Sequence, residues 1–289
     1  MSIRTSLKKV LPPISITEQE ALDAGDVWIE SSIYQGKPDM AALRSLPQGT
    51  LTADEQAFLD GPVVELINMV DDYALSNEDH IPQPVIDFLC KNKFFSMIIP
   101  KKFGGLEFSP YANSTIVATI AVASGAIAVT VMVPNSLGPG ELLMHYGTEE
   151  QQNYWLPRLS VGTDIPCFAL TGPEAGSDAG SIPDAGIVCK GMHNGEEVLG
   201  LRVSWDKRYI TLAPIATVLG LAFKVFDPEQ LLGDELELGI TCALLPKSHA
   251  GVELGNRHDP MGVRFYNGTT RGQDVFIPME FIIGGQKNI

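Results

Sequence analysis

The chain has 289 residues, of which 45% are hydrophobic and 19% are charged, a balance typical of globular proteins with one large domain or two ordinary ones. Its formal net charge of −15 disfavours nucleic acid and anionic lipid surfaces as partners, and the sequence has no run of basic residues to offset it. Four cysteines without CxxC spacing and five scattered histidines predict reduced thiols and no metal centre.

The first 162 residues carry helical signals. Residues 1–50 contain four prolines and are predicted to form an arm with one short helix over 17–29. Thr52 and Glu55 have the spacing of a capping box, which predicts a helix over 53–75. A short helix should follow Pro84. Residues 1–50 therefore form an arm, and 51–162 form an all-helical domain.

The stretch 108–140 contains no charged residue. Residues 115–133 could cross a bilayer by length, but they are mostly Ala, Val, Thr and Ser and lack basic flanks. We therefore expect one helix over 109–133, buried on all sides and ended by Pro134. Two further helices are predicted over 137–146 and 149–158. Without a signal peptide pattern at the N-terminus, we expect a cytoplasmic protein, either soluble or peripheral at the inner membrane.

Beyond residue 162 the pattern changes to short runs rich in Val, Ile, Thr and Phe, separated by Gly, Asn, Asp and Pro. This spacing is typical of an antiparallel β-barrel or sandwich. Helices followed by strands indicate an α+β fold with a β domain over 163–289. The predicted strands are 185–192, 197–206, 216–226, 237–246 and 273–277.

The stretch "FALTGPEAGSDAGS" at residues 168–181 combines glycines, hydroxyls and two carboxylates. It lacks the G-x-G-x-x-G pattern in a βαβ unit, and no Gly-Lys-Ser/Thr follows it, so a Rossmann site and a P-loop are excluded. The chain also has no G-x-S-x-G nucleophile elbow. By itself, this stretch favours a tight turn between strands.

Other stretches change that interpretation, because together they resemble one family in order and spacing. They span residues 60 to 289 and are similar to the acyl-CoA dehydrogenases, in particular the large bacterial members that act in fatty-acid β-oxidation. That branch has Thr-Gly-Pro, as at 171–173, where most of the family has Thr-Glu-Pro. The matching stretches are "IPKKFGGLEFS" (99–109), "HYGTEEQQNYWLPRLSVG" (145–162), "FALTGPEAGSDAG" (168–180), "KRYITLAPIATVLGLAF" (207–223) and "GTTRGQDVFIPMEFIIGG" (268–285).

The resemblance implies a bound FAD. The Leu170 N–H and the Thr171 hydroxyl would face the pyrimidine edge of the flavin, where donors favour the reduced anionic ring. Ser177 would lie near the pyrophosphate and the pantetheine of the substrate, and Glu174 and Asp178 would be structural. The cofactor-binding residues implied are Phe168, Leu170, Thr171, Gly176, Ser177, Tyr209, Ile210 and Thr211, with Tyr209 packed on the flavin and Ser177 also binding substrate.

The family reaction is α,β-dehydrogenation of a fatty acyl-CoA to the trans-2-enoyl-CoA, here expected for medium or long chains. Partners implied are an electron-transferring flavoprotein and further copies of the chain. The family's glutamate base belongs to a third, helical domain expected beyond residue 289, so residues 1–289 alone are expected to be inactive. A nitroalkane oxidase or flavin monooxygenase on the same fold, and a non-catalytic binding protein, are the alternatives.

Overall fold

The computed structural model describes residues 19, 24, 29–136, 138–259, 262 and 264–289. The chain separates into two units, Met1–Gly49 and Thr50–Ile289. Within the first unit, the described residues form helices α1 (Glu30–Tyr34) and α2 (Met40–Ser45). The helix predicted over 17–29 lies largely outside the described residues.

The second unit begins with helices, and both ends of the predicted helix 53–75 are helical. Its middle is not regular, because a π-helical turn at Leu59–Val63 contains Pro62, which has no N–H to donate. The chain breaks again at Val70. The helices are α3 (Ala53–Phe58), α4 (Val64–Met69), α5 (Asp72–Leu75), α6 (Gln83–Lys91), α7 (Pro110–Ala123), α8 (Gly125–Met132), α9 (Pro139–Tyr146) and α10 (Glu149–Ser160).

The prediction of one fully buried apolar helix over 109–133 was wrong in two respects. Ser124 adopts an extended conformation, with φ −156° and ψ 118°, which separates α7 from α8, and its hydroxyl accepts from the N–H of Ile127. Helix α7 also buries a single stripe, Ala112, Ile116 and Ile120, while Val122 is 91% exposed. Small apolar residues fit a partly exposed helix as readily as a buried one.

The helical stretch Gly125–Tyr146 is long and apolar enough to cross a membrane by length and composition alone, and 59% of its most apolar window is buried inside the protein. A core helix of a soluble protein passes the same test. Helices α9 and α10 follow the predicted positions, and Thr148 forms a second capping box with Gln151 at the start of α10.

Among the described residues after α10, seven strands form one curled sheet, which confirms the α+β class. The pairing is mixed, because β1 and β2 both run parallel to β4, whereas the remaining neighbours are antiparallel. The expectation of a purely antiparallel sheet was therefore wrong. The strands are β1 (Pro166–Ala169), β2 (Ala185–His193), β3 (Glu196–Thr211), β4 (Val218–Phe226), β5 (Glu237–Pro246), β6 (Glu253–Leu254) and β7 (Asn267–Pro278).

Strand β4 shares one of its edges between two partners. β1 pairs with residues 218–221 and β2 pairs with residues 224–226, both in the parallel sense, while β5 follows β4 along the opposite edge. Residues 170–184 therefore leave the edge of β4 at residue 221 and return to it at residue 224, with only two residues of β4 between. This excursion contains the glycine-rich stretch singled out in the sequence.

Helices and sheet share one hydrophobic core. The same cluster of buried side chains contains Phe94 and Ile116 from the helical part and Val203 and Leu221 from the sheet. Burying a large apolar side chain is worth about 1.5–3 kcal/mol, so this shared core fixes the sheet relative to the helices of the second unit. The excursion 170–184 packs on the sheet through a separate small cluster, in which Ala175 and Ile182 contact Ala222.

Glu55 stabilises two helix starts with one carboxylate. One oxygen accepts from the N–H of Thr52, the N-cap of α3, at 2.7 Å, and the other accepts from the N–H of Ser109, the N-cap of α7, also at 2.7 Å. Burial raises the pKa of Glu55, but the hydrogen bonds from Ser109 and Thr52 outweigh it and lower this pKa to about 2.

Replacing Glu55 with Gln should lower the free energy of unfolding by about 2–3 kcal/mol, because a carboxylate oxygen is exchanged for an amide donor that faces an N–H group. Urea unfolding measures this loss. Glu65→Gln is the matched control, since Glu65 is exposed on α4. An equal effect of the two substitutions would contradict the capping role of Glu55.

The same carboxylate predicts a pH dependence. Its folded-state pKa of about 2 lies below its ordinary value of 4.5, so the stabilisation from Glu55 is complete above pH 4.5 and is lost as the pH falls towards 2. We expect Glu55→Gln to lose this part of the acid dependence, as measured by unfolding curves between these pH values.

Candidate cofactor site

A buried ion pair ties the excursion 170–184 to β3. The Lys207 Nζ donates to Asp184 Oδ2 at 2.5 Å and to the carbonyl oxygen of Leu170 at 2.8 Å. The second Asp184 oxygen accepts from the N–H of Asp206 at 2.9 Å. Side-chain exposure is 0% for Lys207 and 3% for Asp184. Lys207 thus holds the first residue of the excursion and Asp184 near its end in one arrangement.

Lys207 was missed as a site residue in the sequence. Burial lowers the pKa of this lysine, and the nearby Asp184 carboxylate opposes that shift. Val203, Trp205 and Lys207 alternate on the buried face of β3, as period-two geometry requires. The strand was predicted to end at residue 206, one position too early to show that Lys207 points inward. Had the strand been predicted to continue to residue 207, the same alternation would have identified Lys207 as buried.

Arg208 holds the next residues of the excursion. Its N–H donates to the carbonyl of Thr171 at 3.1 Å, and its guanidinium donates to the carbonyl of Pro173 at 3.1 Å. Between them, Gly172 passes close to β3: a Cβ on this residue would lie 3.2 Å from the carbonyl oxygen of Asp206. The glycine in the Thr-Gly-Pro sequence therefore suits this close approach.

The end of β3 presents an aromatic ring beside the excursion. The register with β7 shifts between Lys207 and Ile210, so Arg208 and Tyr209 form a bulge. Tyr209 has φ +57° and is 53% exposed. Its ring centroid lies 5.3 Å from the Arg208 guanidinium. Since Arg208 also binds the excursion, the structure brings the two predicted groups, 168–177 and 209–211, together.

The predicted site residues differ in burial and in whether their polar groups are already hydrogen-bonded. Ile210 is buried in the core and Phe168 is half-buried beside Gly220. The N–H of Leu170, expected to face the flavin, instead donates to the carbonyl of Phe168 at 3.2 Å. Asp178 accepts from the hydroxyl of Ser181 at 2.5 Å, in line with its expected turn role.

Several donors in the excursion are uncommitted. Within the part of the chain that the structure describes, the hydroxyls of Thr171, Ser177 and Thr211 make no hydrogen bond, and neither do the backbone N–H groups of residues 174–178. A Cβ on Gly176 would meet nothing within 4 Å. The excursion thus offers several free donors, and Thr211 at the end of β3 offers one more, to a ligand with several acceptor atoms.

These features fit a flavin dinucleotide. Successive free backbone N–H groups are suited to a pyrophosphate, short hydroxyls can bind the polar edge of the flavin ring, and the exposed Tyr209 offers a surface for ring packing.

Among the described residues, no group of three or more His, Cys, Asp or Glu could hold a metal ion. All four cysteines are free, and burial raises the pKa of Cys167 to about 12.

Comparison with known proteins identifies the family of the chain. Residues 56–163 match the family description "Acyl-CoA dehydrogenase, N-terminal domain", and residues 167–275 match "Acyl-CoA dehydrogenase, middle domain". The two matches together cover more than half of the chain. The chain therefore belongs to the acyl-CoA dehydrogenase family, as its sequence motifs indicated.

Three relatives illustrate the range of the family. A 3-(aryl)acrylate reductase of Clostridium sporogenes is 31% identical over 63% of this chain and 44% of that protein. The caffeyl-CoA reductase–Etf complex subunit CarC of Acetobacterium woodii is 30% identical, over 70% and 50% respectively. The probable acyl-CoA dehydrogenase FadE10 of Mycobacterium tuberculosis is 26% identical, over 82% and 35%. The chain thus spans half or less of the length of each.

A shorter match covers 66 residues at 58% identity with the protein named HemX of Proteus mirabilis, which is 23% of this chain and 39% of that protein.

Solved structures show the same fold. Butyryl-CoA dehydrogenase from Megasphaera elsdenii superposes with a TM-score of 0.68 at 22% identity, covering 82% of this chain and 60% of that one. The FAD complex of PigA gives 0.66 at 20% identity, covering 83% and 60%.

Lys207→Met should destabilise the protein by about 3–5 kcal/mol, because it leaves the Asp184 charge buried without a partner. The double variant Lys207→Met with Asp184→Leu should recover much of that loss. Urea unfolding of both variants tests this, with Lys190→Met on the exposed face of β2 as the control. A change within about 0.5 kcal/mol of wild type for Lys207→Met, as at an ordinary surface site, would contradict the anchoring role.

Proposed function

We propose that this chain forms the FAD-binding part of an oxidoreductase that dehydrogenates medium- or long-chain fatty acyl-CoA at the α,β position, giving the trans-2-enoyl-CoA. One observation carries the proposal: the excursion 170–184 is fixed by the buried Lys207–Asp184 pair beside exposed Tyr209, with its hydroxyls and N–H groups uncommitted. A preorganised set of free donors next to an aromatic surface suits a flavin dinucleotide.

Different residues of the site would bind different parts of the cofactor. The N–H groups of 174–178 and the hydroxyl of Ser177 would bind the pyrophosphate, while the hydroxyls of Thr171 and Thr211 would reach the polar part of the flavin. Bound FAD would supply a hydride acceptor to the site. Donors held rigidly near the ring favour the negative charge that develops on reduction. The Lys207–Asp184 pair keeps these donors in place and remains behind the site, since both side chains are buried.

The substrate must lose a proton from Cα and a hydride from Cβ, and the proton becomes acidic enough only when the thioester carbonyl is polarised. Two of the three carboxylates of the excursion do not suit the role of base, because Asp184 is paired with Lys207 and Asp178 with Ser181. The third, Glu174, is exposed to solvent and is expected to be structural. We propose that the base lies outside residues 1–289 and that Ser177 also contacts the pantetheine of the substrate.

The reverse reaction is the second candidate. Two relatives at 30–31% identity are named reductases, one of aryl acrylates and one of caffeyl-CoA. Reduction of an α,β-unsaturated acyl group adds the same hydride and proton that dehydrogenation removes, so one site can serve either direction. We favour dehydrogenation because the sequence motifs resemble the fatty-acid branch, and the probable acyl-CoA dehydrogenase FadE10 matches the largest share of this chain among the three relatives.

The electrons taken from the substrate must be transferred to an acceptor. We propose an electron-transferring flavoprotein in this role, supported by the relative that is named a subunit of an Etf complex. We further propose that copies of the chain associate with one another, as the family resemblance implies.

FAD titration of the purified protein should give a retained, saturable flavin absorption band. Tyr209→Ala should weaken FAD binding roughly 5- to 30-fold, because it removes the aromatic surface on which the ring packs. Tyr73→Ala is the matched control, since Tyr73 is 82% exposed on α5. Equal FAD affinities for both variants would contradict the assignment of Tyr209.

Adding acyl-CoA thioesters to the FAD-loaded protein should perturb the flavin spectrum, whereas nitroalkanes should leave it unchanged. The physical reason is that a thioester bound against the ring changes the polarity around it. We expect no sustained reduction of an artificial dye by residues 1–289 alone, because the base is supplied from elsewhere. A response to nitroalkanes but not to thioesters would favour the oxidase alternative.

A further inference from the structure

Tyr209 has a second neighbour that the predicted cofactor residues do not include. The imidazole of His258 contacts the Tyr209 ring with centroids 5.5 Å apart and planes inclined by 44°. The Arg208 guanidinium also contacts this ring, at 5.3 Å. Because Tyr209 is half exposed and stands in a bulge with φ +57°, contacts with neighbouring side chains are needed to restrict its ring, and His258 and Arg208 supply two of them.

A hydrogen bond of its own backbone fixes the position of His258. Its N–H donates to the carbonyl of Asn267 at 2.6 Å, and Asn267 is paired with Thr211 where β3 meets β7. The preceding residue, Arg257, has a side chain only 13% exposed and donates to the carbonyl of Glu78. The segment that carries His258 is therefore fixed both to the start of β7, which pairs with the end of β3, and to the chain that follows α5.

Two polar atoms in this place lack hydrogen bonds. The Nε2 of His258 and the Oδ1 of Asn267 are buried, and neither has a partner anywhere in the described parts of the chain. Asn267 as a whole is only 4% exposed. A buried polar atom without a partner is destabilising, and an apolar side chain of similar shape avoids that cost. His258 therefore stands here at a cost to stability, and such exceptions are expected at functional sites. The interaction that its ring does make is the contact with Tyr209.

We propose that His258 is a positioning residue of the cofactor site, which acts through Tyr209 by setting the orientation of the ring that packs on the flavin. Asn267 supports His258 by accepting its backbone N–H, and Arg208 limits the same ring through its contact at 5.3 Å. This inference rests on the proposed function, because it names how the aromatic surface of that site is held ready before the cofactor binds.

The test separates ring positioning from cofactor binding. Position 209 is labelled with 3-fluorotyrosine, and its fluorine NMR signal is recorded without cofactor in wild type, His258→Leu and His258→Phe. His258→Leu removes the ring contact and should shift and broaden the signal, whereas His258→Phe keeps an aromatic neighbour and should restore it. FAD titration of the unlabelled proteins should then show affinity weakened about 3- to 10-fold for His258→Leu and nearly unchanged for His258→Phe.

His249→Leu serves as the control. His249 also contacts an aromatic ring, that of Phe281 at 5.5 Å, but it binds the carbonyl of Phe276 near the other end of β7. It should change neither the signal nor the affinity. An unchanged signal in a folded His258→Leu protein overturns the inference, whether or not wild type binds FAD. A signal that responds as expected, together with no FAD binding by wild type, overturns the proposed function instead.

Discussion

The buried pair of Lys207 and Asp184 is the interaction on which the candidate site depends. Burying two charges costs much of what their attraction returns, so such a pair is a poor source of stability by itself. Its geometry is specific, however, because Lys207 also binds the carbonyl of Leu170 and Asp184 also accepts from the N–H of Asp206. Both ends of the excursion 170–184 are thereby tied to one strand, and the donors between them are displayed in a fixed place.

The pairing of the strands also determines where the excursion 170–184 lies. Because β1 and β2 share an edge of β4, the 15 residues between them must leave the sheet and return within a two-residue gap. A bulge at the end of β3 then turns Tyr209 outward beside the same excursion. On the helical side, Glu55 has a comparable role, since one buried carboxylate joins the starts of α3 and α7. In both places buried charged side chains fix segments that are distant along the chain.

Much of the fold could be predicted, and the misses have physical causes. Capping residues, acidic residues at helix starts and strand alternation are local signals, so the helix starts at Thr52 and at Glu149 and most of the strands follow from the sequence. Composition does not report which neighbours a helix meets, and so α7 was wrongly expected to be buried on all sides. Parallel pairing of β1 and β2 with β4 joins residues far apart in the chain, for which no local pattern exists.

Motif order by itself determined the family, the α+β class and the stretches that form the candidate site, because glycine, hydroxyl and aromatic residues recur there at characteristic spacing. Only the tertiary structure decided which atoms are free. It committed the N–H of Leu170 to Phe168, buried Ile210, and placed Lys207, Asp184 and His258 behind or beside the site. The reason is physical: whether a donor is available depends on every group within hydrogen-bonding distance, and most of those groups come from other strands.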